Sequence, residues 1–144
     1  METPIMGKVL VTALVENMAD LVRAEDRIIP PDQIRRIEVG DALIDTGATG
    51  LCMPARLIQQ LGLKPLRMRR VRTSAGLATV QMYGGVRLTI QGRDCLSEVT
   101  ELPDDCPVLV GQIPLEALDF VVDPIGQRLI GNPAHGGEHI IEVY

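Results

Sequence analysis

The 144-residue sequence has very few aromatic residues: no tryptophan, one phenylalanine and two tyrosines. Hydrophobic residues nevertheless make up 46% of the chain. The core must therefore be aliphatic, built from valine, isoleucine, leucine and methionine side chains. A chain of this length can bury a sizeable core, and we predict one domain over residues 1–144.

The sequence also lacks an excess of positive charge and a long apolar run. Fourteen lysines and arginines stand against 19 acidic residues, so the formal net charge is −5. This balance argues against nucleic acid or an anionic membrane surface as the main partner. No apolar run approaches the ~18 residues of a membrane span, and the short apolar stretch 9–15 is better explained by an opening strand than by a signal peptide. We therefore expect no nucleic-acid and no membrane partner.

Cysteines are few and odd in number. Cys52, Cys95 and Cys106 show no C-x-x-C spacing. This usage excludes a disulfide framework and suits a reducing compartment, so we expect a cytoplasmic location.

The hydrophobic pattern of the first half predicts strands joined by irregular segments. Strands are predicted over 6–15 and 35–44, and the charged segment 16–33 between them is predicted as a long connection with room for one helical turn. Residues 54–61 are predicted to form a short helix, because a proline stands at its start and Gly62 just past its end.

Closely spaced turn signals follow from Leu66 to Val99. Turns are predicted at 73–76, 84–85 and 91–94, which favours an antiparallel barrel or sandwich. The basic segment Arg67–Arg72 is interpreted as a solvated strand face.

The last part of the sequence predicts further short elements. These are an apolar strand over 107–111, a short helix with Leu115 and Leu118 on one face, a hairpin over 120–131 and a strand-like run over 139–143.

The stretch Ala42–Ala48, read Ala-Leu-Ile-Asp-Thr-Gly-Ala, carries the clearest chemical signal. An aspartate that ends an apolar strand is costly to bury partly unless it has hydrogen-bond partners or a catalytic role. The Thr46 hydroxyl can donate and accept, and Gly47 allows a sharp turn and close approach of a ligand. As a bare tripeptide, Asp-Thr-Gly is also an ordinary turn after a strand.

The order of three features identifies a family. The Asp45 motif is followed by a small-residue turn at Ser74-Ala75-Gly76 and, far downstream, by Leu109-Val110-Gly111 before a short helix. This order resembles the retropepsin-like aspartic proteases, in particular their small single-domain bacterial members, over roughly residues 6–132. The resemblance implies a mostly β, closed retropepsin-like β-barrel with one or two short helices and a hydrophobic cleft.

The resemblance also implies a site shared by two chains. Asp-Thr-Gly occurs once, so the active site would form at the two-fold axis of a homodimer, with Asp45 of each chain as the catalytic pair. Thr46 would brace the loop across the axis, and Gly47 would position the polypeptide substrate. The residues implied to contact substrate are Ala48 and the tip of a flap formed by Thr73, Ser74, Ala75 and Gly76.

Other segments receive structural roles from the same resemblance. Val108–Gly111 would pack beside the catalytic loop, and residues 139–144 would help to join the two chains. Gln112 departs from the viral members, which usually place a charged or strongly hydrogen-bonding residue there to tie the helix to the catalytic loop.

Paired carboxylates explain the implied chemistry. Two carboxylates about 3 Å apart cannot both ionise cheaply, so they share one proton and titrate as a pair, as in aspartic proteases generally. The ionised partner accepts a proton from water, which attacks the scissile carbonyl, while the protonated partner donates to the carbonyl oxygen. This mechanism requires no metal, cofactor or covalent nucleophile.

Three other classes of function are compatible with parts of the sequence. A dimeric peptide-binding or scaffolding module could use the same fold with little turnover, although retention of the full Asp-Thr-Gly-Ala favours the enzyme. Metal binding by His135 and His139 with Glu138 or Glu142 is disfavoured by the glycine pair between the histidines. Serine and cysteine hydrolases are disfavoured because neither histidine accompanies a nucleophile motif, and the apolar context of Cys52 would raise its pKa.

Overall fold

The computed structural model describes residues 8–144, and these residues are mostly β. The strands are β1 (Val9–Asn17), β2 (Arg36–Ile44), β3 (Leu51–Pro54), β4 (Lys64–Thr73), β5 (Gly76–Ile90), β6 (Arg93–Leu102), β7 (Leu109–Val110), β8 (Phe120–Asp123) and β9 (Arg128–Gly131). The helices are α1 (Met18–Glu25), α2 (Ala55–Gln60) and α3 (Gln112–Leu118), with 3₁₀ turns at Pro31–Gln33 and Pro133–His135. The first residues of the strand predicted over 6–15 lie outside the described residues.

Seven of these strands form a sheet that closes on itself in a ring-like arrangement. The strand order is β1-β2-β7-β3-β6-β5-β4, and β1 also pairs with β5. The mostly β class is thereby confirmed, although the described residues contain three α-helices and not the one or two expected. The antiparallel prediction is only partly correct, because β7 is parallel to β2 and β3 is parallel to β6. A turn motif predicts antiparallel pairing of the two strands that it connects. Both parallel pairs instead join strands that are far apart in the sequence, so no turn motif predicts them.

The core is aliphatic, as the composition predicted. In β1 the buried residues Val9, Val11, Ala13 and Val15 alternate with outward-facing positions. They pack in one cluster with fully buried leucine, valine and isoleucine side chains of the other strands, and Phe120 is the aromatic residue of this buried set.

The segment between β1 and β2 contains a two-turn helix, longer than the single turn predicted. Asn17 caps α1 by accepting from the Asp20 N–H. Asp20 is buried and binds the Arg35 guanidinium at 2.8 and 2.9 Å. These bonds to Arg35 hold the pKa of Asp20 below its usual value. The helix is therefore fixed by a contact across 15 residues, which local propensity does not show.

Two predicted elements are wrong. Gly84 and Gly85 do not make a turn, since β5 continues through them and the pairing with β6 shifts between Tyr83 and Val86. Glycines are common at such irregularities inside strands. Residues 139–143 do not form a strand, because within residues 8–144 they pair with no neighbouring strand and the Ile140 N–H instead binds Asp119.

Most other local predictions are confirmed, while the strand predicted over 107–111 is reduced to Leu109–Val110. The turns that connect β4, β5 and β6 lie at 74–75 and 91–92, within the predicted ranges 73–76 and 91–94, and the 120–131 hairpin is β8–β9. Helix α2 lies within the predicted range 54–61. Within residues 8–144, none of the helices combines the length and apolar character needed to cross a membrane.

Candidate active site

Asp45 follows directly on the end of β2 and is partly buried. Its backbone N–H donates to the Val110 carbonyl at 3.0 Å. One carboxylate oxygen, Oδ1, accepts from the Gly47 N–H at 3.0 Å, and the Asp45 carbonyl accepts from Ala48. The turn is therefore closed by its own backbone, and the carboxylate is held in a fixed orientation while Thr46 and Gly47 stay exposed.

Strand β7, which lies between β2 and β3 in the sheet, supports this turn together with the start of α3. Strand β7 pairs with both of these strands. Three further backbone bonds connect the start of α3 to the turn: Gly111 to Gly50, Gln112 to Ala48 and Ile113 to Thr49, each 2.9 Å. The predicted packing of Val108–Gly111 beside the Asp45 loop is thus confirmed.

Gly111 allows this close approach. A Cβ at this position would lie 2.6 Å from the carbonyl oxygens of Ala48 and Gly50. Gln112, the residue that departs from the viral pattern, binds Glu116 through its side chain at 3.1 Å. The connection between α3 and the loop is therefore made by the Gln112 backbone and not by its side chain.

Cys52 lies near Asp45 but is a poor nucleophile. Partial burial raises the pKa of the Cys52 thiol, and the negative charge of Asp45 raises it further, although the hydrogen bond with Thr100 acts in the opposite direction. A raised thiol pKa leaves little thiolate near neutral pH, which weighs against a cysteine hydrolase.

The predicted flap tip is the turn between β4 and β5. The Thr73 hydroxyl accepts from the Ala75 N–H at 3.1 Å and donates to the Gly76 carbonyl at 3.0 Å. Gly76 has a φ of 113°, a conformation that favours glycine. Thr73, Ser74 and Ala75 are exposed, as expected of a hairpin tip.

A groove of about 550 Å³ lies between this hairpin and the segment that follows the Asp45 turn. Its walls are formed by residues 49–51, 69–72, Met82, 96–98, Thr100 and Ile113. None of the predicted site residues lines this groove itself. Asp45–Ala48 directly precede one wall in the chain, and Thr73–Gly76 directly follow another.

Sequence reasoning missed these lining residues. The basic segment Arg67–Arg72 was visible as a pattern, but its place opposite the Asp45 loop depends on how the hairpin folds. Ile113 and Leu96 are exposed apolar residues with no local signal of a role.

The two histidines contact different groups. His135 Nδ1 lies 2.6 Å from Asp119 Oδ2, and its Nε2 lies 3.3 Å from Glu142 Oε1. His139 Nε2 binds the Ala117 carbonyl at 3.0 Å. Within residues 8–144, no group of three or more His, Cys, Asp or Glu side chains is arranged to hold a metal ion.

Comparison with known proteins agrees with the geometry of the loop. No curated protein matches the chain. A family model described as aspartyl protease matches residues 36–128, about two thirds of the chain. The matched range contains the Asp45 turn, the β4–β5 hairpin and the β7–α3 support that contacts the turn. This 144-residue chain belongs to the aspartyl protease family.

Proposed function

We propose that the protein is an aspartic endopeptidase that hydrolyses peptide bonds with water activated between two Asp45 carboxylates, one from each chain of a homodimer. The observation that carries this proposal is the Asp45 turn. A partly exposed carboxylate is oriented by the Gly47 N–H and held by backbone bonds from β7 and α3. Rigid support of this kind suits a group that must meet its partner at short range.

A single Asp-Thr-Gly per chain makes the homodimer part of the mechanism. Two Asp45 carboxylates about 3 Å apart would share one proton, so one would be base and the other acid in the same step. In the proposed dimer, Thr46 braces the loop, while Gly47, Ala48 and the tip Thr73–Gly76 contact the polypeptide substrate.

The C-terminal residues support pairing of two chains. Ile140, Ile141, Val143 and Tyr144 are exposed apolar side chains close together in the sequence. Burying them against a second chain would remove apolar surface from water.

The three cysteines are unpaired, which suits a reducing compartment, and we place the activity in the cytoplasm.

The proposal is tested by peptide cleavage from about pH 4 to 7.5, comparing the native chain with Asp45→Asn. Asparagine keeps the size of the side chain but cannot share the proton. We expect cleavage by the native chain and a loss of about 10³-fold or more in the variant. Asp41→Asn is the matched control, since Asp41 is an exposed carboxylate on the same strand.

Equal cleavage by the native chain and Asp45→Asn would contradict the assignment of Asp45. No cleavage by a native chain shown to be a folded dimer would favour the peptide-binding module instead.

A further inference from the structure

Three arginines of β4 border the groove in a chain that is acidic overall. Arg69, Arg70 and Arg72 belong to one wall. Within residues 8–144, no carboxylate lies within ion-pair distance of these three side chains. Glu98 is the acidic residue of the lining, and Arg67 already binds both of its oxygens, at 2.5 and 2.6 Å. The groove therefore presents uncompensated positive charge on a chain of net charge −5.

Strand pairing shows which of these arginines faces the groove. Arg67 pairs with Met82 and Arg69 pairs with Val80. Since side chains alternate along a strand, Arg69 lies on the same face as Arg67 and the buried Met82. The contact of Arg67 with Glu98 shows that this face is turned toward β6. Arg70 and Arg72 have the opposite parity, so their side chains project from the other face of β4 although both residues border the groove.

The remaining surroundings suit an extended peptide. Ile113 and Leu96 are apolar and about 60% exposed, and Val71 lies on the same face as Arg69. Strand β4 is the last strand in the sheet order, so its outer edge has backbone groups without a strand partner in residues 8–144. Such an edge can pair with an extended peptide while alternate side chains enter pockets.

We propose that this groove binds an acidic side chain of a peptide substrate, aspartate or glutamate, and that Arg69 selects it. This inference rests on the proposed function, because Thr49, a residue of the groove wall, directly follows the proposed catalytic turn Asp45–Ala48. A guanidinium binds a carboxylate through two parallel hydrogen bonds, which gives both energy and direction. The apolar lining accommodates the neighbouring aliphatic part of the same peptide.

The test measures peptide binding separately from cleavage. The Asp45→Asn chain, which leaves peptides intact, is titrated into labelled extended peptides in which one glutamate is moved along a neutral apolar sequence. Each peptide has a matched partner with glutamine at that position. At about pH 6 and low salt, we expect one position at which glutamate lowers the Kd about tenfold relative to glutamine.

Arg69→Gln and Arg70→Gln, each added to Asp45→Asn, form the matched pair. Both remove one positive charge from an exposed position of the same strand, but of these two side chains only that of Arg69 is on the groove face. We expect Arg69→Gln to abolish the glutamate preference and Arg70→Gln to retain it. The preference should also fade as the pH falls below about 4, where the peptide glutamate becomes neutral.

Cleavage of the same peptides by the native chain separates the two proposals. Equal binding of glutamate and glutamine peptides, with cleavage present, overturns the selection of acidic residues and leaves the protease in place. A glutamate preference that persists in Arg69→Gln overturns the role of Arg69. A preference that depends on Arg69, with no cleavage by the native chain, supports the recognition of acidic residues and overturns the protease.

Discussion

At the scale of single residues, Gly111 determines how closely β7 and α3 approach the Asp45 turn. The hydrogen bonds from Gly111, Gln112 and Ile113 to the loop are possible only because no side chain stands between the two backbones. The sequence predicted that Leu-Val-Gly supports the loop. The need for glycine became visible only when its neighbours were in place.

Replacing Gly111 should destabilise the protein. The alanine Cβ would meet the backbone of Ala48, Thr49 and Gly50 within 2.7 Å, and backbone cannot move aside as a flexible side chain can. We expect Gly111→Ala to lower the free energy of unfolding by about 2 kcal/mol or more, measured by urea denaturation.

Gly50→Ala is the control for this change. It lies in the same loop, and a Cβ there would have no neighbour within 4 Å. A similar loss of stability in the two variants would show that glycine flexibility, and not the close packing at Gly111, determines the effect.

At the scale of elements, a cluster around Asp119 fixes the C-terminal segment to the end of α3. Buried Asp119 accepts from His135 Nδ1–H, from the Asn132 amide and from the Ile140 N–H. Arg93 donates to the carbonyls of Leu118, Asp119 and Gly137. His139 and Ile140 are thereby bound to residues at the end of α3. These contacts explain why residues 139–143 do not form the predicted strand.

The cluster should make stability depend on pH. The hydrogen bond from His135 lowers the pKa of Asp119 to about 2, and Asp119 in turn raises the pKa of His135. The contribution of His135 is therefore complete below its unfolded pKa of 6.5 and is lost as the pH rises through the raised value. The contribution of Asp119 is complete above 3.8 and is lost as the pH falls toward about 2.

Thermal unfolding of His135→Ala tests this linkage. We expect the loss of Tm relative to the native chain to be larger at about pH 5.5 than at about pH 9, because only the protonated histidine pairs with the Asp119 carboxylate. His139→Ala is the control, since His139 binds a backbone carbonyl. An equal loss for His135→Ala at both pH values would show that its charge makes no contribution.

At the scale of the whole molecule, the proposed function requires two chains. Asp45 needs a second catalytic carboxylate, and the 144-residue sequence contains Asp-Thr-Gly once. Cleavage per chain should therefore rise with protein concentration until the dimer is saturated. Cleavage rates and sedimentation velocity on one dilution series check this expectation.

Mixing chains gives a sharper form of the same prediction. Excess Asp45→Asn added to the native chain should suppress cleavage, because mixed dimers hold only one competent carboxylate. Excess Asp41→Asn should not suppress it. Cleavage that stays proportional to the native chain in both mixtures, or that persists in a monomer, would contradict the shared site.

The sequence by itself determined the features that depend on neighbouring residues. The apolar, strand-like character of the segments determined β1 and β2, and turn-forming residues determined the turns predicted at 73–76 and 91–94. The scarcity of aromatic residues determined an aliphatic core. The Asp-Thr-Gly-Ala motif located the Asp45 turn, because its conformation is set largely by its own residues.

Only the tertiary structure decided the features that depend on distant partners. The insertion of β7 between β2 and β3, and the burial of Asp20 against Arg35, require pairings that local patterns do not encode. Whether Arg69 or Arg70 faces the groove depends on a register that shifts by one residue between Pro65 and Arg67. Such a shift exchanges the two faces of a strand. In the observed register Arg67 pairs with the buried Met82 and binds Glu98 on β6, and the basic segment by itself encodes neither partner.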